Sequence, residues 1–298
     1  MTVGMSFPAW MTAVVSRPIG LGKVFYVHGF DGDDGNNGVD PSTPFKTITY
    51  ALSQCVSLRN DYIIVLNGWS ETTPIVVNKR RVHIIGMCCE GMPLVSLTSS
   101  LDSEIFQISG DAGDFCEIAG FDLGGGDNHA GIEPAAGGPT ADLVYIHHCN
   151  FGSEYCGDTP QNGVWLPAGA GAKAWKIEKC KFMGTDGDTG GKLTASGVRI
   201  DEGAQHEVVD CLFSGCVAPS ITIMGQAHVV RNNDIAMPAD ALGGGITIAV
   251  GSANCVVIGN RAAFGETAGA LAKPYLDNCG ANANIWTANY WHSTYTDP

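Results

Sequence analysis

The sequence predicts an all-β fold, a solenoid of parallel strands, on three observations. A strand-like segment recurs at intervals of 22 to 31 residues, glycine is abundant while charge is sparse, and one stretch alone has helical periodicity. The recurrence is clearest in residues 144–152, 175–184 and 207–215, each an alternating apolar run, then Cys-x-Phe, then Gly. Successive cysteines, Cys149, Cys180 and Cys211, are 31 residues apart. Weaker echoes follow at 228–235 and 255–261, where Asn233 and Asn260 replace Cys, and one precedes at 116–123.

Between these segments lie second runs of strand character, at 163–166, 197–200, 220–224 and 245–250. Short runs rich in Val, Ile, Thr and aromatics between Gly, Asn and Asp clusters form strands. Strands that return every 20 to 50 residues indicate stacked coils. Each strand then pairs in parallel with its counterpart about 4.8 Å along the axis, and like side chains stack in files. Cys149, Cys180 and Cys211 make one predicted file; Phe151, Phe182 and Phe213 make another. Leucine-rich repeats and propeller blades need spacings that are absent, which leaves a parallel β-helix.

Composition agrees. The chain of 298 residues carries 40 glycines, roughly twice the ordinary share of ~7%. Its 16 basic and 30 acidic residues leave a charge of −14, which disfavours nucleic acid as a partner. No apolar run reaches the ~20 residues of a membrane span, and residues 1–16 are broken by Pro8 and lack a basic start, so neither membrane insertion nor a secretion leader is expected. Eleven cysteines cannot all pair within one chain. Buried reduced thiols made in a reducing cytoplasm fit better, and no C-x-x-C knuckle points to zinc.

A solenoid cannot end bare, so its first coil needs a cap. Residues 44–56 supply an amphipathic helix, with Phe45, Ile48, Ala51, Leu52 and Cys55 at helical spacing and Thr43 as the N-cap. Residues 22–48, a strand, an Asp/Asn/Gly loop and then Pro-Phe-x-Thr-Ile, resemble the opening segment of right-handed β-helix proteins of the pectate-lyase-like superfamily. Residues 62–68, 70–72 and 82–86 are similar to the first coils of that fold. The resemblance spans about residues 22–265 and implies a single-stranded right-handed parallel β-helix with an N-terminal capping α-helix at about 43–56. It leaves an N-terminal arm, 1–21, with Met5, Phe7, Trp10 and Met11, and an aromatic cap or interface tail, 266–298, with Trp286, Tyr290, Trp291 and Tyr295. Within the superfamily the plan is most similar to bacteriophage virion structural proteins.

Catalytic constellations are weak. A lyase needs a base beside a charge-neutralising group, and Arg199 beside Asp201 and Glu202 is the best local group. A glycoside hydrolase needs two spaced carboxylates; Asp186 with Asp188, Asp201 with Asp210, and Asp122 with Asp127 are candidates that nothing ranks. The loop 31–38 concentrates calcium-type oxygen ligands but departs from EF-hand spacing, and it reads better as a self-capping turn. His147 and His148 are expected on opposite faces of a strand, unable to form a joint site. No catalytic, cofactor or metal residue is therefore assigned. The expectation is a non-enzymatic virion protein, made in the host cytoplasm and carried on the particle exterior as a trimeric capsid decoration or short spike. It would contact the major capsid protein or another virion protein, and surface glycans are a further candidate partner. The alternative is a carbohydrate-active β-helix enzyme or a glycan-binding tailspike.

Overall fold

A computed structural model describes residues 22–70, 74–89, 92–93, 95–98, 103–124, 129–135, 141–152, 161–169, 171–184, 193–216, 218–237, 244–264, 274–280 and 283–292. The arm 1–21 and Tyr295 lie outside them. Apart from the antiparallel pair Cys88–Cys89 and Met92–Pro93, the described strands form three parallel sheets along one axis. A full coil runs through the first sheet, turns at once into the second, crosses a loop to the third, and returns. In one such coil these are Tyr145–His147, Asn150–Phe151 and Asn162–Leu166. The next supplies Lys176–Glu178, Lys181–Met183 and Val198–Ile200, in register with the first.

What reads as one run in the sequence, 144–152, is thus two strands. A single left-handed residue divides them: His148, Lys179, Asp210, Asn232 and Ala288 hold φ of 52°, 52°, 53°, 57° and 51°. Such backbone costs an L-residue about 1–2 kcal/mol. It persists because the bend keeps its amide in the ladder: the N–H groups of Lys179 and Asp210 donate to the carbonyls of Val209 and Arg231, at 3.0 and 3.1 Å.

The predicted files exist. Phe151, Phe182 and Phe213 stack with ring centroids 4.8 and 4.7 Å apart and planes within 5° and 8°. Facing them is a column of glycines that the rings require. A Cβ on Gly163 would lie 2.5 Å from the Phe182 ring, and one on Gly197 2.5 Å from that of Phe213. Phe121, Cys149, Cys180, Cys211, Asn233, Asn260 and Asn289 share the neighbouring file, in register through their successors. The three cysteines are buried and reduced. In the amide part of the file the N–H groups of Cys211, Asn233 and Asn260 donate to the next Asn Oδ1 at 2.9, 3.0 and 3.0 Å. Cys116 and Cys255 belong to another file, which includes Val144, Trp175, His206 and His228.

The capping helix is Ile48–Gln54, shorter than 43–56, and its N-cap is Thr47, not Thr43. Extended backbone delays it: Phe45 bridges Val27 and exchanges hydrogen bonds with Tyr26 and His28. Asp34 then accepts from the Lys46 and Thr47 amides at 2.9 and 3.0 Å. Ile48, Ala51 and Leu52 are buried over the first coil with Phe45 and Cys55. Asp61, wholly buried at this end, accepts from Arg59 Nε and Nη2 at 2.6 and 2.7 Å and from two backbone amides.

At the other end the stack runs on beyond residue 265. Tyr275–Asp277, Ile285–Thr287 and Tyr290–His292 pair in parallel with the third, first and second sheets, so Trp286, Tyr290 and Trp291 belong to a further coil rather than to a separate tail. Among the described residues no strand follows them. Ile285, Tyr290 and Trp291 are 58, 68 and 58% exposed, although Trp291 sits in the file that Phe151 occupies earlier. Asp277 holds this coil together by accepting from Trp286 Nε1 at 2.8 Å.

Candidate functional site

The outward file of the third sheet runs through Gln107, Glu133, Trp165, Arg199, Thr222 and Thr247. Alternation puts Ile132, Val164, Leu166, Val198 and Ile200 into the core and these side chains on the surface. Around Glu133 the face becomes a buried cluster. Glu104, on the preceding coil, is 4% exposed and Glu133 8%. His129 Nδ1 lies 2.9 Å from Glu133 Oε1 and 3.4 Å from Glu104 Oε2. Gln107 Nε2 donates to the other Glu104 oxygen. Glu133 Oε2 is buried with no hydrogen-bond partner among the described residues. Burial pushes the Glu133 carboxyl up to about 6, the His129 hydrogen bond opposes this, and the Glu104 charge adds to it.

One coil on, the Arg199 guanidinium lies 5.4 Å over the Trp165 ring. Asp201 accepts from Arg199 Nε and Trp165 Nε1, each at 2.9 Å. Glu202 turns away and accepts from the Gly169 amide. The group singled out in the sequence is therefore a clamp in which Arg199 and Asp201 neutralise each other. Asp210, at a bend into the second sheet, does not meet Asp201, and Asp122 is buried beside Ser96. Asp127, Asp186 and Asp188 lie outside the described residues.

A second network covers the first sheet. Glu117 Oε2 lies 2.5 Å from His83 Nδ1, and Glu117 Oε1 2.7 Å from His147 Nε2. Burial raises the Glu117 carboxyl, but the hydrogen bonds from His147 and His83 outweigh it and hold the group at about 2. His147 and His148 do meet, with Nδ1 atoms 2.7 Å apart. The expected opposition fails because the left-handed bend at His148 breaks the alternation. Tyr62 stacks on His83, Tyr145 packs against His147, and the Tyr145 hydroxyl donates to Glu178. This mutual saturation suits a structural clasp.

In loop 31–38 the oxygens serve the loop itself. Asp33 Oδ1 accepts from the Gly35 amide at 2.8 Å, Asn37 Oδ1 accepts from Val39 and Thr43, and Asp34 holds the helix start. Among the described residues, no helix is long and apolar enough to cross a membrane.

The sequence matches no family profile and no curated protein. Solved structures do match. The structure of sacteLam55A from Streptomyces sp. SirexAA-E is similar over 80% of this chain and 45% of its own, at 10% identity and TM-score 0.51. The shared feature is the parallel β-helix. ORF18 of Geobacillus virus E2 is similar over 90% of this chain and 61% of its own, at 16% identity and TM-score 0.49. The tailspike of E. coli bacteriophage HK620, solved with a pentasaccharide, covers 97% of this chain and 74% of its own at 11% identity and TM-score 0.39. This chain thus spans 61% and 45% of the lengths of the first two, and at such identities the likeness is one of fold.

As a hydrolytic pair, Glu104 and Glu133 are poorly disposed. Both turn to one imidazole. Sequence reading missed Glu104, His129, Glu133 and Trp165. A signal for Glu133 and Trp165 was present, since Gly131-Ile-Glu-Pro aligns with Gly163-Val-Trp-Leu and Gly197-Val-Arg-Ile.

Proposed function

We propose that the chain is a non-enzymatic part of a bacteriophage particle, a β-helix carried on the virion exterior as a capsid decoration or short spike and assembled as a homotrimer. The last described coil carries this reading. One end of the rod is closed by its own helix; at the other, no described strand follows, and Ile285 and Tyr290 are exposed there, a surface that fits end-on attachment. Exposed Met183, Leu212, Ala236 and Ala263 also lie along the second sheet, beside the Arg261–Asp234 ion pair. A three-fold arrangement closes such contacts on themselves, where head-to-tail stacking would propagate a fibre. The net charge of −14 favours a position away from packaged nucleic acid. The buried free thiols fit synthesis in a reducing host cytoplasm.

Cryo-electron microscopy of purified particles tests the assignment. Symmetric three-lobed density on the shell or at a vertex, fitted by the rod, is expected, with the major capsid protein or another virion protein as its seat. Particles without the chain would overturn the reading. Release of products from acidic polysaccharides by the purified chain would replace it with the carbohydrate-active alternative.

A further inference from the structure

We propose that Glu104, His129 and Glu133 form a binding site for one divalent transition-metal ion of the zinc class, held on the outer face of the third sheet. The inference stands apart from the particle reading and rests on four features of the cluster.

The first is distance. Two ligands bound at about 2.0–2.1 Å with tetrahedral angles lie about 3.3 Å apart, and with octahedral angles about 3.0 Å. His129 Nδ1 is 2.9 Å from Glu133 Oε1 and 3.4 Å from Glu104 Oε2, so both imidazole–carboxylate edges already have the size of a coordination polyhedron. One ligand atom from each of the three residues falls within 4.8 Å of the others.

The second is the buried Glu133 Oε2, a carboxylate oxygen without a hydrogen-bond partner among the described residues, on a side chain 10% exposed. Leaving such an atom unpaired is costly, and an ion bound by the carboxylate would offset that cost. The third is charge. Two buried carboxylates beside one imidazole leave net negative charge even when His129 is protonated, whereas a divalent ion with neutral His129 balances them. The fourth is outer support. The Gln107 amide holds Glu104 by its other oxygen and leaves Oε2 turned to His129, the arrangement by which outer hydrogen bonds orient metal ligands.

The donor set selects the ion. Calcium and magnesium prefer oxygen ligands alone, while an imidazole nitrogen suits zinc and its neighbours. Three protein ligands leave a fourth position for water or an oxygen ligand. The ion would tie the coil of Phe106–Ile108 to that of Ala130–Pro134 from outside.

The test is a calorimetric titration of the full chain, stripped with chelator, with zinc chloride, repeated on His129→Ala, Glu104→Gln and Glu133→Gln. One equivalent should bind to the parent, raise its melting temperature, and lose at least about tenfold in affinity in each variant. Cobalt substituted for zinc should give weak visible bands and no intense thiolate charge-transfer absorption. Should His129→Ala fail to fold, Glu133→Gln carries the test, because it keeps the side chain's shape. Equal zinc affinity in parent and Glu133→Gln would overturn the site. So would no binding by the folded parent, or a cobalt spectrum dominated by thiolate, which would place the ion on cysteine.

Discussion

The two ends of the rod solve the same problem in opposite ways. At the first coil, Phe45, Ile48, Ala51 and Leu52 bury the apolar end, and Asp61 is saturated by Arg59 and two amides. At the last coil, the equivalent interior file ends in Trp291, which is exposed. Both have inward-facing apolar residues and unused strand edges. The difference lies in what covers them: a short helix of the same chain at one end, and nothing among the described residues at the other. The end that no described residue covers is where the account places a partner.

Four substitutions or conditions sharpen that contrast. Phe45→Ala should remove the keystone of the closed end and cost about 3–5 kcal/mol, seen as a lower urea midpoint. The comparison breaks if this change is as mild as one at the open end. Acid should weaken the middle next. His206 and His228 stack in the core with ring centroids 5.1 Å apart, each Nδ1 accepting a backbone amide. Burial drives them down to about 3 and about 4 from 6.5, and His228 adds to the effect on His206. The unfolded chain therefore takes up protons first as pH falls. Stability is full above 6.5 and declines as pH drops toward 4, by about 2 kcal/mol per imidazole at pH 5. Urea midpoints at pH 7 and 5 check this, and His228→Asn should flatten the slope. Asn284 supplies the precedent, since it already accepts the Cys255 amide at 3.0 Å in the same file.

Thr47→Ala, which removes the Oγ1 that accepts the Tyr50 amide, should cost about 1 kcal/mol in melting experiments. A comparably small effect on the isolated chain, about 1 kcal/mol, is expected for Trp291→Ser, because more than half of that residue is already exposed. The same change should abolish self-association. A large loss of chain stability would instead mean that the last coil is covered.

The interior was legible in the sequence because coils stack like on like. Cysteine and phenylalanine each recur in one file at an interval of 31 residues, and asparagine continues the cysteine file at shorter intervals. The split of 144–152 into two strands was not legible, because His148, Lys179 and Asp210 carry no glycine signature for their left-handed backbone. The closing coil was hidden by its content: Tyr290 and Trp291 read as an aromatic tail once Cys and Phe had left their files. The cluster of Glu104, His129 and Glu133 was hidden by topology. Its members come from two coils joined by loops of unequal length, so sequence separation gives no hint that they converge.

The most direct test of three-fold assembly is the mass of the full chain in dilute neutral solution by light scattering. The account predicts three chain masses for the parent and one for Trp291→Ser. A parent that stays at one chain mass at every concentration would contradict it.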